Sequence, residues 1–336
     1  MVCLVVIAGQ IAAVPPLPGA QGDTGRVHLA FMGDMGTGDS RQAAVRDQIV
    51  RVADRLDAVF TMGDNIYNNG EAEHFGPRFL DMYRPLFDRG VPFHAALGNH
   101  DVRKCDVAPA DPLPRTAEVY QNDRRCWADQ QLGTAEFGYP RGQRYYSVLL
   151  VEGGARVEVF VLDSNTLASD QTKLASGVDQ AQLDWLDRAL DESTAVWKVV
   201  TLHHTMHTPV GDGFLWKGHG SELGLRAQIT PILAGRVDVV FQGHNHLYAR
   251  MLPQRGIRYF VSGAGGKKPY AFRPDAATVA RDDRGRFNHF VYTRVTESHF
   301  GYCVVDSDGV IRDGGRLAKG DAADTPFDAG QCPLIE

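Results

Sequence analysis

Five short polar clusters bring together residue types that bind metals or move protons. They read Gly33-Asp34, Gly63-Asp64 with Tyr67 three residues on, Gly98-Asn99-His100, His203-His204, and Gly243-His244-Asn245-His246. Asp34, Asp64, Tyr67, Asn99, His203, His244 and His246 supply carboxylate, phenol, amide and imidazole donors. Hard oxygen donors mixed with imidazole suit iron, manganese or zinc better than calcium or magnesium. Seven side chains are too many for one tetrahedral ion and fit two ions that share a bridging ligand. Two adjacent cations can clamp the attacking and leaving oxygens of an in-line displacement at phosphorus. That chemistry needs no Ser or Cys nucleophile, and none stands out in the sequence. Taken singly the clusters are weak, since Gly-Asp after an apolar run is ordinarily a turn. Gly-His-Asn-His is more specific, with two imidazoles flanking one residue. The weight lies in all five, each closing an apolar run.

Those runs are the elements that must position the donors. Val27–Met32, Ala58–Met62, Phe93–Leu97, Val196–Leu202 and Val237–Phe241 read as strands, each ending at a cluster. In α/β proteins sites form at the carboxyl ends of strands, where distant residues converge. Ser40 is placed to cap a helix in which Val45, Ile49, Val52 and Leu56 recur at helical spacing. Asp179–Leu190 reads as a helix with Leu183, Leu186 and Leu190 on one side, and Leu225–Leu233 as a helix interrupted near Pro231. Tyr145–Val151 and Val157–Leu162 read as strands paired about Gly153–Gly154. Ile257–Val261 and Tyr302–Val305 add two more, the latter leading to a turn at Ser307–Gly309. Residues 102–144, with Pro109, Pro112, Pro114, Pro140 and many charges, read as a long surface insertion. His94 reads as a strand residue, His207 as a loop residue, and Lys267 and Lys268 as a solvated face. No linker divides the chain, so one domain is expected.

The chain has 336 residues, 43% of them hydrophobic and 23% charged, a globular composition that excludes wholesale disorder. A net charge of -6 argues against a nucleic-acid partner but not against phosphorylated substrates, because bound metals supply positive charge locally. Residues 2–14 are apolar and too few for a membrane span, which takes about 20. With Pro15, Pro16 and Pro18 behind them and a small-residue exit near Ala13 or Ala20, they read as a secretory signal. The basic residues that normally precede such a signal are missing; the first arginine is Arg26. Leaving aside Cys3, four cysteines remain, and an even number fits export. The economical pairing is Cys105 with Cys126 and Cys303 with Cys332, the alternative being four reduced thiols. No CxxC pair marks a thiolate zinc site.

The ordered runs Gly33-Asp34-Met35-Gly36, Gly63-Asp64-Asn65-Ile66-Tyr67, Gly98-Asn99-His100-Asp101, Val200-Thr201-Leu202-His203 and Gly243-His244-Asn245-His246 resemble the signature of calcineurin-like metallophosphoesterases. Tyr67 is similar to the tyrosine of purple acid phosphatases, and Gly-Asp-Asn-x-Tyr is most similar to their small tartrate-resistant branch. The resemblance covers roughly residues 27–264. It implies an α/β fold, a central β-sandwich flanked by helices in four layers, α/β/β/α. Together with the apolar start, this divides the chain into a leader or signal over 1–25, one metallophosphoesterase domain over 26–320 and a tail over 321–336. Asp34, Asp64, Tyr67 and His246 would hold Fe(III). Asp64, Asn99, His203 and His244 would hold Fe(II), Zn or Mn, with Asp64 bridging. His100 would face the phosphate, and His204 would lie just outside the ligands. Lys217-Gly218-His219-Gly220-Ser221-Glu222 resembles the segment carrying a further active-site histidine, His219.

The activity so implied is acid hydrolysis of a small phosphomonoester by a metal-bound hydroxide, in a secreted or periplasmic protein. His100 or His219 would act as imidazolium, a form that predominates below a pKa of about 6.5. Two other readings belong to the same residues. One is a Mn- or Zn-dependent phosphodiesterase acting on small diesters or cyclic nucleotides. The other is a non-catalytic binding protein with a vestigial metal site, which the complete ligand set weighs against.

Overall fold

Runs of Val, Phe, Leu and Ala form strands buried on both faces, as in Ala58–Met62 and Phe93–Ala96, where every residue is buried. The computed structural model describes residues 3–7, 25–103, 127–168, 179–210, 218–271, 278, 285–323, 325–329 and 332. In chain order the strands are β1 (Cys3–Ile7), β2 (Val27–Met32), β3 (Ala58–Met62), β4 (Phe93–Ala96), β5 (Tyr146–Glu152), β6 (Ala155–Val161) and β7 (Trp197–Leu202). They continue as β8 (Val239–Gln242), β9 (Tyr248–Arg250), β10 (Arg258–Ser262), β11 (His289–Val295), β12 (His299–Asp306), β13 (Ile311–Ala318) and β14 (Asp328–Ala329). The α-helices are α1 (Ser40–Val50), α2 (Arg84–Phe87), α3 (Trp127–Gly133), α4 (Gln180–Glu192) and α5 (Leu223–Leu233).

The strands make two seven-stranded mixed sheets, ordered β1-β5-β6-β7-β8-β10-β9 and β14-β13-β12-β11-β2-β3-β4. Their inner faces pack on each other through aromatic residues. Phe31 of β2 stacks on Phe241 of β8 at 4.0 Å between centroids, and Phe260 of β10 meets Tyr302 of β12 at 4.9 Å. Trp197 of β7 packs on Phe300 and donates its indole N–H to the Thr296 carbonyl at 2.8 Å. Such pairs contribute about 0.5–1.5 kcal/mol each beyond the area they bury. On the outer face of the first sheet, Leu183, Leu186 and Leu190 of α4 and Leu225, Ile229 and Leu233 of α5 cover Phe160, Val200 and Val240. Against the second sheet, α1 buries Val45 and Ile49 beside β11 and β12. The layers are therefore α/β/β/α, as the resemblance implied.

Register aligns the strand ends. Parallel pairing sets Met32 beside Thr61, Met62 beside Ala96, and Leu202 beside Gln242. Asp34, Asp64, Asn99, His203 and His244 each follow these aligned residues by one to three positions. Five loops so leave the two sheets at one edge.

Several local expectations are revised. Asp39, not Ser40, caps α1: its side chain accepts the amides of Arg41 and Gln42. The helix ends at Val50, and Val52 and Leu56 flank a short 3-10 turn at Ala53–Arg55. Pro231 does not interrupt α5, which runs on to Leu233 and closes with the Ala234 amide donating to the Thr230 carbonyl at 3.0 Å. Residues 127–144, expected at the surface, pack inward through Gln131, Phe137, Tyr139 and Arg144. Buried Arg144 donates to Asp163 at 2.9 Å and to Asp179 at 2.5 Å, an ion-paired cluster beneath α4. Cys3–Ile7, expected as part of an export signal, pairs antiparallel with β5. Strands β9, β11, β13 and β14 were not expected. Cys303 and Cys332 form a disulfide with Cα atoms 4.9 Å apart, tying the chain end to β12. Cys105 and Cys126 lie outside the described residues. Among the described residues no helix is long and apolar enough to cross a membrane.

Candidate metal centre

Three of the five non-glycine residues with positive φ among the described residues are Asp34 (56°), Asp64 (54°) and His244 (66°). Side chains avoid this region, so such conformations are held by their surroundings and gather at functional sites. Tight packing of the loops holds them here. Gly63 has φ 77°, and a Cβ on it would lie 2.7 Å from the Gly98 backbone and 2.8 Å from His203 Cβ. A Cβ on Gly98 would lie 2.1 Å from the Asp64 amide nitrogen. The β3 and β4 loops therefore touch through backbone. Asp101 pins them together by accepting the amides of Gly98 at 2.8 Å, Asn65 at 3.1 Å and Ile66 at 3.0 Å. Gln131 of α3 donates to Asp101 at 3.0 Å and accepts from Asn65 at 3.0 Å, so the inward-packed segment braces the same turn.

All seven expected donors converge in this space. On one side the Tyr67 hydroxyl donates to Asp34 Oδ1 at 2.9 Å and lies 3.3 Å from His246 Nε2. His246 Nε2 is itself 3.4 Å from Asp34 Oδ1. On the other side His203 Nε2 lies 2.9 Å from Asn99 Oδ1 and 3.1 Å from His244 Nδ1. Asp64 stands between: its Oδ1 is 3.4 Å from His203 Nε2, and its carboxylate also meets the Tyr67 hydroxyl. Ligand atoms of Asp34, Asp64 and His203 all lie within 4.8 Å of one another. His203 Nδ1 bonds the Met62 carbonyl at 2.8 Å, which makes Nδ1 the protonated nitrogen and turns the Nε2 lone pair inward. This is how a metal-binding histidine is oriented.

Electrostatics tests whether cations fit. Asp34, Asp64, His203 and His244 are buried, and two carboxylates share the space. Burial pushes Asp34 up to about 8; His203 offsets part of that, and the charge of Asp64 adds to it. Burial raises Asp64 too, but His203, His100 and the His100 amide outweigh it and hold its carboxyl below the usual range. Burial lowers His246 to about 4, keeping it neutral as a ligand must be. His244 Nε2 is buried with no hydrogen-bond partner among the described residues. Acids that cannot both ionise, together with inward imidazole lone pairs, are the arrangement that divalent or trivalent cations complete.

His100 donates its amide to Asp64 Oδ1 at 2.9 Å, sets its ring 4.5 Å from Tyr67 and bonds the Asn68 carbonyl through Nδ1. His219 stacks on His244 with 4.1 Å between centroids. Its backbone is gripped from both sides by buried Asn245, which accepts its amide at 2.9 Å and donates to its carbonyl at 2.8 Å. His204 is fully buried and bonds Ser164 at 2.9 Å beside both His203 and His244. Residues missed by sequence reasoning are Asp101, Gln131, Asn245 and Lys267. Asp101 and Asn245 sit inside the quoted motifs, so adjacency was the available signal. Lys267 is not on a solvated face: its ammonium lies 3.8 Å from the centre of the Tyr67 ring.

The profile of the calcineurin-like phosphoesterase family matches residues 27–248, which contain the whole donor set. The chain belongs to this family. It is similar to purple acid phosphatase 3 of Arabidopsis thaliana, 28% identical over 72% of this chain and 64% of that one. It thus spans less than two thirds of that relative. Tartrate-resistant acid phosphatase type 5 of Mus musculus is 24% identical over 78% of this chain and 79% of the relative. The structure of purple acid phosphatase PPD1 from yellow lupin (Lupinus luteus) seeds superimposes with a TM-score of 0.65, covering 90% of this chain and 55% of that one at 19% identity. That likeness is one of fold.

Proposed function

We propose that this protein is a dinuclear acid phosphatase that hydrolyses small phosphomonoesters. The observation that carries the reading is the division of the donors into two groups with Asp64 touching both. Asp34, Tyr67 and His246 would hold the first ion, an iron, and Asn99, His203 and His244 the second, iron, zinc or manganese, with Asp64 shared. When bound, the two ions supply positive charge to the phosphate oxygens and lower the pKa of the attacking water.

The protein's own part is orientation and proton supply. Because the Asn68 carbonyl accepts from His100 Nδ1, Nε2 is the nitrogen that gains or loses a proton. Nε2 lies 3.9 Å from Asp64 Oδ2, on the open side of the shared carboxylate. Protonated there, His100 can donate to the ester oxygen as the oxygen of water bonds phosphorus and the phosphorus–ester bond breaks, leaving alcohol and phosphate. His219, held by Asn245 and stacked on His244, would assist the same charge. An imidazolium requirement favours acidic pH. The Cys303–Cys332 disulfide supports a location outside the reducing cytosol.

Steady-state assays with an aryl phosphate monoester and the matching bis-aryl diester, from pH 4 to 8, test this. Faster monoester turnover with an acidic optimum is expected. Preference for the diester, or no turnover by metal-loaded protein, would contradict it.

A further inference from the structure

Lys267 follows the glycine run 263–266, and its main chain is fixed at the centre rather than at the surface. Its amide donates to the Asp34 carbonyl at 2.9 Å, and its carbonyl accepts from Asn288 Nδ2 at 2.8 Å, one residue before β11. The preceding Gly266 carbonyl accepts from Arg41 Nε at 3.2 Å. So anchored, the half-buried side chain reaches over the Tyr67 ring, its ammonium 3.8 Å from the centroid. The charged groups that act on it are Asp64, Asp34, Arg41 and Asp39. An ammonium over an aromatic face is attracted by the electron-rich ring, more so when water is partly excluded.

We propose that Lys267 is an electrostatic positioning residue for Tyr67, whose charge sets the energy at which the Tyr67 ring gives electron density to an adjacent ferric ion, and the reduction potential of that ion. The inference rests on the reading of Tyr67 as an iron ligand. Its physical content is a sign. A fixed cation over the ring stabilises the electrons that the ring would donate, so charge transfer from ring to metal costs more. The same cation favours the metal state of lower positive charge. Neither effect depends on Lys267 touching the substrate, and both vanish when the side chain keeps its length but loses its charge.

The experiment compares visible spectra and midpoint potentials of metal-replete wild type, Lys267→Met, Lys267→Arg and Tyr67→Phe, each with its metal content measured. Lys267→Met should keep both metals, move the visible band to longer wavelength and lower the potential. Lys267→Arg, which restores a cation able to stack on the ring, should return both toward wild type. Tyr67→Phe should abolish the band, which identifies its source. A coloured wild type whose band and potential are the same in Lys267→Met overturns the inference while leaving Tyr67 as a ligand. An iron-free or colourless wild type overturns the iron reading and the inference together.

Discussion

At the scale of single residues, the role proposed for His100 separates chemistry from metal holding. Its backbone amide supports Asp64, and a substitution to Ala leaves that amide in place. In the proposed mechanism the side chain alone carries the proton. His100→Ala should therefore retain its metals and lose roughly 10²–10⁴-fold in kcat, the usual range for acid–base catalysis. Metal analysis beside steady-state kinetics checks this; metal loss in the variant would mean that the imidazole is itself a ligand. The seven donors were legible in sequence because each follows a strand end, and strand ends are adjacent in a sheet. Lys267 was not legible, because nothing in Gly-Gly-Lys-Lys tells that the Asp34 carbonyl captures the first lysine's amide. Asp101 was legible only as part of a motif. Its role appears once three loop amides from two strands point at one carboxylate.

Among the elements, the parallel trio β2, β3 and β4 could be read from three apolar runs, and so could β7 and β8. Their mutual approach could not. It depends on residues without side chains, above all Gly98, which faces the Asp64 amide. Gly98→Ala forces a methyl group to within 2.1 Å of that nitrogen unless the loops separate. Overpacking of this kind costs about 1–3 kcal/mol. The variant should unfold at lower denaturant concentration and bind metal more weakly, and urea titrations with and without metal measure both. A variant with unchanged midpoint and metal affinity would show that the loops are not in contact there. Strand β13, between β12 and the short edge strand β14, escaped sequence reading for the opposite reason. Ile311–Ala318 carries two arginines, an aspartate and two glycines in eight residues and is partly exposed, so no apolar alternation marks it. The expected cap at Ser40 failed because Asp39 stands one position earlier with a stronger acceptor.

For the whole molecule, the buried acids make stability depend on metal and pH together. In metal-free protein Asp34 holds its proton up to about pH 8, whereas in the unfolded chain it ionises near its ordinary value. The folded state thus binds more protons, and stability falls as pH rises toward 8. Below about 6.5, histidines such as the partly buried His246 and the buried His94, both lowered to about 4, oppose this, because the unfolded chain protonates them first. Above about pH 6.5 these histidines no longer oppose the Asp34 effect. Metal-stripped protein should lose melting temperature across that interval, and metal-loaded protein should not, since the cations favour ionised Asp34. Scanning calorimetry of the two forms at several pH values checks it; parallel curves would mean that no cation compensates these carboxylates.

The central claim is that Asp34, Tyr67 and His246 hold one ion, Asn99, His203 and His244 a second, and Asp64 both. Elemental analysis of protein purified from metal-replete growth addresses it most directly. Two metals per chain, at least one of them iron, is the expected result. Folded protein that carries one ion or none would contradict it.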